Sequence, residues 1–267
     1  MRSRFRGSIL LTLALATASC GAPLMKLPSG PGAPAPDAAA ALAQATTVCH
    51  GIRTLTAEVA ASGKVSGQRF RARLAVGVAA PASARIEAVA PFGAPFFIMV
   101  AKDDEATLLL PRDERVLEHG RSVDVLDAAA GVKLSATDLR VALTGCASEI
   151  LRPAGRALGP DWRVIDEGSG DTLYLHRVGA AQPWQLTAVI RPSGRVEYAD
   201  FLNGLPRAIR IVNAATDGSA FDLTLALSQV ETNVALGADV FRVEVPRGAQ
   251  PITLDELRHA RPGVREN

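Results

Sequence analysis

Residues 84–100 read ARIEAVAPFGAPFFIMV, and this stretch sets the pattern of the whole chain. It begins as a two-faced strand: Ile86 and Ala88 point one way, Arg85 and Glu87 the other. Pro91, Phe92, Gly93, Ala94 and Pro95 then make a turn. Phe96 to Val100 resume as a strand that is apolar on both faces. Strand, short turn and strand are the repeating unit of an antiparallel meander. Phe92 is the oddity, because turns sit on the surface and a large aromatic there leaves apolar area in water. Two readings stand. Either Phe92 folds back as a cap on the core, or it enters something apolar such as a lipid or a partner.

The same pattern extends outward in both directions. Glu58 to Val65 reads as a strand, and Arg69 to Val76 alternates cleanly. Phe70, Ala72, Leu74 and Val76 share one face; Arg69, Arg71 and Arg73 share the other and read as its solvated side. Past an Asp103-Asp104 turn, Ala106 to Leu110 and Arg115 to Glu118 continue the meander. Helical spacing then appears over Ser122 to Ala129 and Ser135 to Leu143, with Ser135-Ala136-Thr137-Asp138 as a capping box that uses Asp in place of Glu. Strand patterns return at Trp162–Asp166, Thr172–Arg177, Trp184–Arg191, Arg195–Phe201, Arg207–Asn213, Ala220–Val230 and Val240–Val245. Pro192-Ser193-Gly194 and Asp217-Gly218 mark turns between them. Ala38 to about Ile52 reads as a helix capped by Asp37, and Thr253 to Ala260 as a closing helix. The expected fold class is mainly β (α+β). About eleven antiparallel strands curl into an incomplete barrel, with the helices as lids over an apolar concave face.

Composition removes several function classes. The net charge is +2 over 267 residues, with no basic patch interleaved with aromatics, so nucleic-acid binding is not the main task. Hydrophobic residues make up 48% but aromatics only 4%, so alanine, valine and leucine fill the inward positions. Such small side chains suit either a hollow interior or an ordinary small-residue core. His50, His119, His176 and His259 lack metal-ligand spacing, and no GxSxG, HExxH, P-loop or GxGxxG motif is present. Asp103-Asp104 and Asp113-Glu114 read as solvated turns. The expectation is no enzyme, no catalytic residue, no metal and no cofactor.

Arg2, Arg4 and Arg6 precede a short apolar run from Ser8 to Ala16, which has the form of a secretory signal. The following Thr17-Ala18-Ser19-Cys20-Gly21 resembles a bacterial lipobox. That resemblance implies a signal peptide over residues 1–19 and acylation of Cys20. Residues 20–36 are then a Pro-, Gly- and Ala-rich flexible tether and 37–267 a single domain. Gly21, in place of Asp, implies sorting to the outer membrane with the body facing the periplasm. In an oxidising compartment Cys49 and Cys146 are candidates for a disulfide; the alternative is two free buried thiols.

With these residues laid out, the chain resembles the LolA/LolB superfamily of bacterial lipoprotein carriers, nearer to LolB. The segments that carry the resemblance are the lipobox with its linker and helix, ARIEAVAPFGAPFFIMV, AGVKLSATDLRVALTG from Ala130 to Gly145, and LPRAIRIVNAATDGSAFDLTLALSQV. The resemblance implies an apolar cavity for the acyl chains of lipoproteins or for phospholipid, and a periplasmic LolA-like donor. It also implies a protruding turn residue that helps place cargo in the membrane; Pro91, Phe92 and Gly93 stand at that turn. Alternation assigns Leu74, Val76, Ile86, Leu223, Leu225 and Leu227 to the cavity wall, with Met99 and Trp184 as additions. Ala90 stands where the family turn has Asn, and Gly248 to Asn267 run past the usual end. The alternative function is an envelope interaction lipoprotein with a filled core, binding a partner through its sheet edge or the Phe92 loop.

Overall fold

Two antiparallel meanders share one sheet. The first runs through β2 (Thr54–Val65), β3 (Gln68–Ala79), β4 (Ser83–Ala88), β5 (Ile98–Lys102), β6 (Glu105–Leu110) and β7 (Arg115–Arg121), each strand beside the next. The second runs through β8 (Gly155–Ala157), β9 (Trp162–Asp166), β10 (Thr172–His176), β11 (Gln185–Arg191), β12 (Gly194–Ala199), β13 (Ala208–Asn213) and β14 (Phe221–Thr232). Pairing of β14 with β2 joins the two meanders, from Phe221 opposite Val65 to Thr232 opposite Leu55. The rims are β1 (Ala33–Pro34) beside β8 and β15 (Gln250–Pro251) beside β7. The rims do not pair with each other, so the sheet is an open, mostly antiparallel half-barrel. The computed structural model describes residues 23–147, 154–168, 170–213, 220–237 and 239–260; residues 1–19, Cys20 and the Asp217-Gly218 turn lie outside these.

The three longest strands form the middle of the sheet and follow the alternation in their sequences. In β14, Phe221, Leu223, Leu225 and Leu227 are buried, while Thr224, Ala226 and Ser228 are exposed. In β4, Ala84, Ile86 and Ala88 face inward. One-face burial is what holds each register, since a one-residue slip would turn every leucine into water.

Among the described residues four helices complete the fold. α1 (Ala38–His50) packs on β8 to β11 through Ala38, Ala41 and Leu42. α2 (Ser122–Ala130) lies against β6 and β7, and α3 (Ala136–Thr144) lies over β3 and β4. Both end on a glycine in the left-handed region, Gly131 and Gly145. α4 (Leu254–Ala260) packs on α2. α3 starts with the expected capping box: the Asp138 amide donates to Ser135 Oγ, and Asp138 Oδ2 accepts from the Ser135 amide at 3.0 Å. None of the described helices is long and apolar enough to cross a membrane.

Several expectations change. Among the described residues the sheet has fifteen strands rather than about eleven, in part because rim strands of two or three residues are tertiary pairings with no sequence period. Val240–Val245 is not a strand. It crosses the outer face as a strap whose Val240 and Arg242 carbonyls accept from the Arg85 guanidinium. The tether is not free along its length. The Met25 amide donates to Glu197 at 2.9 Å, Arg195 donates to the Met25 carbonyl, and Ala35 is buried against β8. Asp37 does not cap α1 with its side chain. Its carboxylate instead takes a bidentate pair from Arg163, at 2.8 and 2.9 Å.

Candidate functional site

The concave side of the central strands and the two inserted helices enclose a cavity of about 490 Å³. Its floor comes from β2, β3, β4 and β14. Leu225 stands opposite Ala61, which stands opposite Ala72, and Leu74 stands opposite Ala88. All five line the cavity. Alanines at these positions leave space that larger side chains would close. The roof is the lid: Leu126 and Ala129 from α2, Val132 and Leu134 from the connection, and Leu139 and Leu143 from α3. Phe96 and Phe97 form one wall, and Ser66 of the β2–β3 turn with Gln68, Arg69 and Arg71 at the start of β3 form the rim.

Of the residues assigned to the wall by alternation, Leu74, Val76, Ile86, Leu223 and Leu225 line the cavity. Leu227 does not; it is buried further along β14, beyond the cavity's end. Met99 is also buried, in the packed core opposite Ile86. Trp184 is corrected too. It is packed beside α1, where its amide donates to Gln44 and the Arg163 and Arg177 guanidinium groups lie 4.8 and 4.4 Å from its ring. Alternation reports which face a residue is on, not how far along the strand the hollow extends. The lid leucines Leu134, Leu139 and Leu143 share a side in sequence, and that was the only signal that they roof the space. α1, expected as a lid, contributes no wall residue; α2 and α3 do.

The Phe92 loop stands at one end of this cavity. Hydrogen bonds from the Phe96 amide to the Ala88 carbonyl and from the Ala88 amide to the Phe97 carbonyl close its base. Gly93 takes φ +76°, a left-handed turn position that a side chain would strain. Pro91 and Gly93 are exposed, and Phe92 is 89% exposed. Folding back as a core cap is therefore excluded. Arg112, from the β6–β7 turn, fixes the loop in this pose. It donates to the Phe92 carbonyl at 2.9 Å and the Ala94 carbonyl at 3.0 Å, and its guanidinium lies 4.3 Å from the Phe96 ring.

Cys49 and Cys146 form a disulfide between α1 and the residue that follows the α3 C-cap. His50 lies beside the bridge, 3.4 Å from the Ala147 carbonyl. The two sulfurs are spent on each other, so no thiolate is left there to bind a metal. Among the described wall residues there is no carboxylate, imidazole or thiol. The groups whose pKa values move, Asp37, Tyr198, Arg210, Asp222 and Glu256, all lie outside the cavity wall. The Arg163 hydrogen bonds hold the Asp37 carboxyl below its ordinary value, and Arg210 does the same for Asp222. Burial pushes the Tyr198 phenol up. What the walls offer is contact with hydrocarbon.

No family model matches the chain, and no curated protein matches it. Among solved structures, a LolA superfamily protein from Nitrosomonas europaea is similar at 12% identity and TM-score 0.49, over 77% of this chain and 97% of that one. A putative outer membrane lipoprotein-sorting protein domain from Vibrio parahaemolyticus is similar at 13% identity and TM-score 0.47, over 75% and 94%. The lipoprotein LppX of Mycobacterium tuberculosis is similar at 12% identity and TM-score 0.33, over 76% and 99%.

Proposed function

We propose that this protein is a lipid-anchored envelope protein that holds acyl chains in its half-barrel and acts in lipoprotein or lipid localisation at the outer membrane. The observation that carries this reading is the apolar cavity between sheet and lid. Its volume of about 490 Å³ lies within the range of ~300–1,000 Å³ typical of small-molecule sites. At roughly 0.8 kcal/mol per buried CH₂, an acyl chain of about a dozen methylenes held there gains on the order of 10 kcal/mol. That is comparable with the whole stability of a domain, ~5–15 kcal/mol. Ordering the bound chain takes back part of it. The filled-core alternative predicts no such space on the concave side.

Transfer then needs no covalent chemistry. An acyl chain exchanges one apolar surrounding for another, so small affinity differences set its direction. The acylated Cys20 keeps the body at the membrane, and the exposed Phe92 loop makes the contact through which cargo leaves. A periplasmic donor of the LolA type would load the cavity.

The test is native mass spectrometry of the full chain offered a diacylated lipopeptide and, separately, a phospholipid. A bound mass is expected with at least one of them. Leu225→Trp, which fills the cavity from its floor, should abolish that mass while the melting temperature holds or rises. A protein that stays free of both ligands would sink the proposal.

A further inference from the structure

The outer face of β3 carries Arg69, Arg71 and Arg73, all exposed. None of the three has an ion-pair partner among the described residues. Their cross-strand neighbours on β2 are Lys64, Ser62 and Ala60, which offer no counter-charge. The nearest carboxylate in the β14 row, Asp222, is taken up by Arg210 at 2.7 and 2.8 Å. Apart from Asp222, acidic residues on these strands begin only further along. Glu58 and Glu87 both stand opposite Ala75, and Glu87 is paired with Arg85. Charge on this face is therefore segregated, with its basic end at residues 64–73.

That basic end adjoins a cluster of exposed apolar residues. The Val89 amide donates to the Arg73 carbonyl at 2.8 Å, so the Phe92 loop springs from the side of the arginine strand. Val89, Phe92 and Phe96 are the exposed apolar residues there, at 46, 89 and 49%. The cavity rim at Ser66, Gln68, Arg69 and Arg71 belongs to the same end. A solvated outer strand face explains arginines in general. It does not explain three unpaired ones next to a clamped aromatic and a cavity mouth.

We propose that Arg69, Arg71 and Arg73, with the Phe92 loop, form a docking surface for a bilayer that contains anionic phospholipid, and that docking sets the cavity mouth against the lipid. This deepens, and rests on, the acyl-carrier reading by naming the surface to which cargo passes. Arginine near an anionic leaflet binds the headgroup phosphates while an adjacent phenyl ring enters the acyl boundary. Each arginine contributes roughly a fivefold increase in the docked-to-undocked ratio, and three together on the order of a hundredfold.

The experiment uses the full chain carrying Phe92→Trp, reconstituted on vesicles of phosphatidylcholine alone and of phosphatidylcholine mixed with phosphatidylglycerol. Emission of the new indole should move to the blue as phosphatidylglycerol is added, and salt should reverse the move. Adding R69Q, R71Q and R73Q should remove the anionic-lipid dependence with the melting temperature unchanged. A blue shift that ignores both phosphatidylglycerol and the arginines would overturn the stripe's role. An emission unchanged on every vesicle would overturn the bilayer contact altogether and leave the stripe to an acidic protein surface. Acyl binding is scored separately by native mass spectrometry. Arg73 is the one of the three that does not line the cavity, so the R73Q single variant should keep its ligand there while its docking on phosphatidylglycerol weakens about fivefold, and failure of docking and failure of acyl binding are distinguishable.

Discussion

Phe92 forgoes the ~1.5–3 kcal/mol that burial of a large apolar side chain provides, and Arg112 spends two hydrogen bonds on holding it out. A solvent-exposed position carries little folding energy, so Phe92→Glu should change stability by no more than ~0.5 kcal/mol in urea unfolding. The same substitution should slow transfer of an acylated peptide to vesicles by tenfold or more; transfer at the normal rate would remove the loop from the mechanism. Phe92 was legible in the sequence because an aromatic between two prolines breaks a local rule. Arg112 was not, because its role depends on two turns meeting in space. Asp37 and Asp222 act on another property, the response to acid. Their carboxyl pKa values are depressed in the folded state by Arg163 and Arg210, so their contribution is present above the unfolded value near 4. It is lost as pH falls through the lower folded values. Thermal melts from pH 7 down to pH 3 should show a decline below about pH 4 that is shallower in the Asp37→Asn, Asp222→Asn double variant.

Elements whose residues alternate were legible, and elements defined by neighbours were not. The regular spacing in β3 and β14 fixed both their identity and their inner face. Val240–Val245 alternates as well, yet a strand needs a free edge to pair with. The chain leaves β14 with β13 on one side and β2 on the other, so both edges are taken and the next segment crosses the face instead. The lid is tied down at the same scale. α3 begins on its capping box, and the bridge from Cys146 to Cys49 closes a span of 97 residues. In the chain-entropy model a loop of that size stabilises by roughly 4–5 kcal/mol. Replacing both cysteines by alanine should lower the unfolding free energy by up to that amount in guanidinium titrations. A change under ~1 kcal/mol would mean that the unfolded chain already holds these segments together.

At the scale of the molecule, the half-barrel follows from one long-range pairing, β14 with β2, which no local pattern announces. Its curl and its inward leucines could be read in advance, but its depth could not. The hollow exists because Ala61 and Ala72 face each other across two strands, and a cross-strand coincidence of small residues is visible only once the register is known. An open sheet has a further liability, since two raw rims invite copies of the same chain to zip onto them and build fibres. Here each rim ends in a strand of only two residues, and each of those strands contains a proline, Pro34 at one side and Pro251 at the other. A prolyl nitrogen has no hydrogen to offer an incoming strand. The barrel can therefore gape without its rims templating fibres, while the aromatic that Arg112 holds out stays free to meet something else.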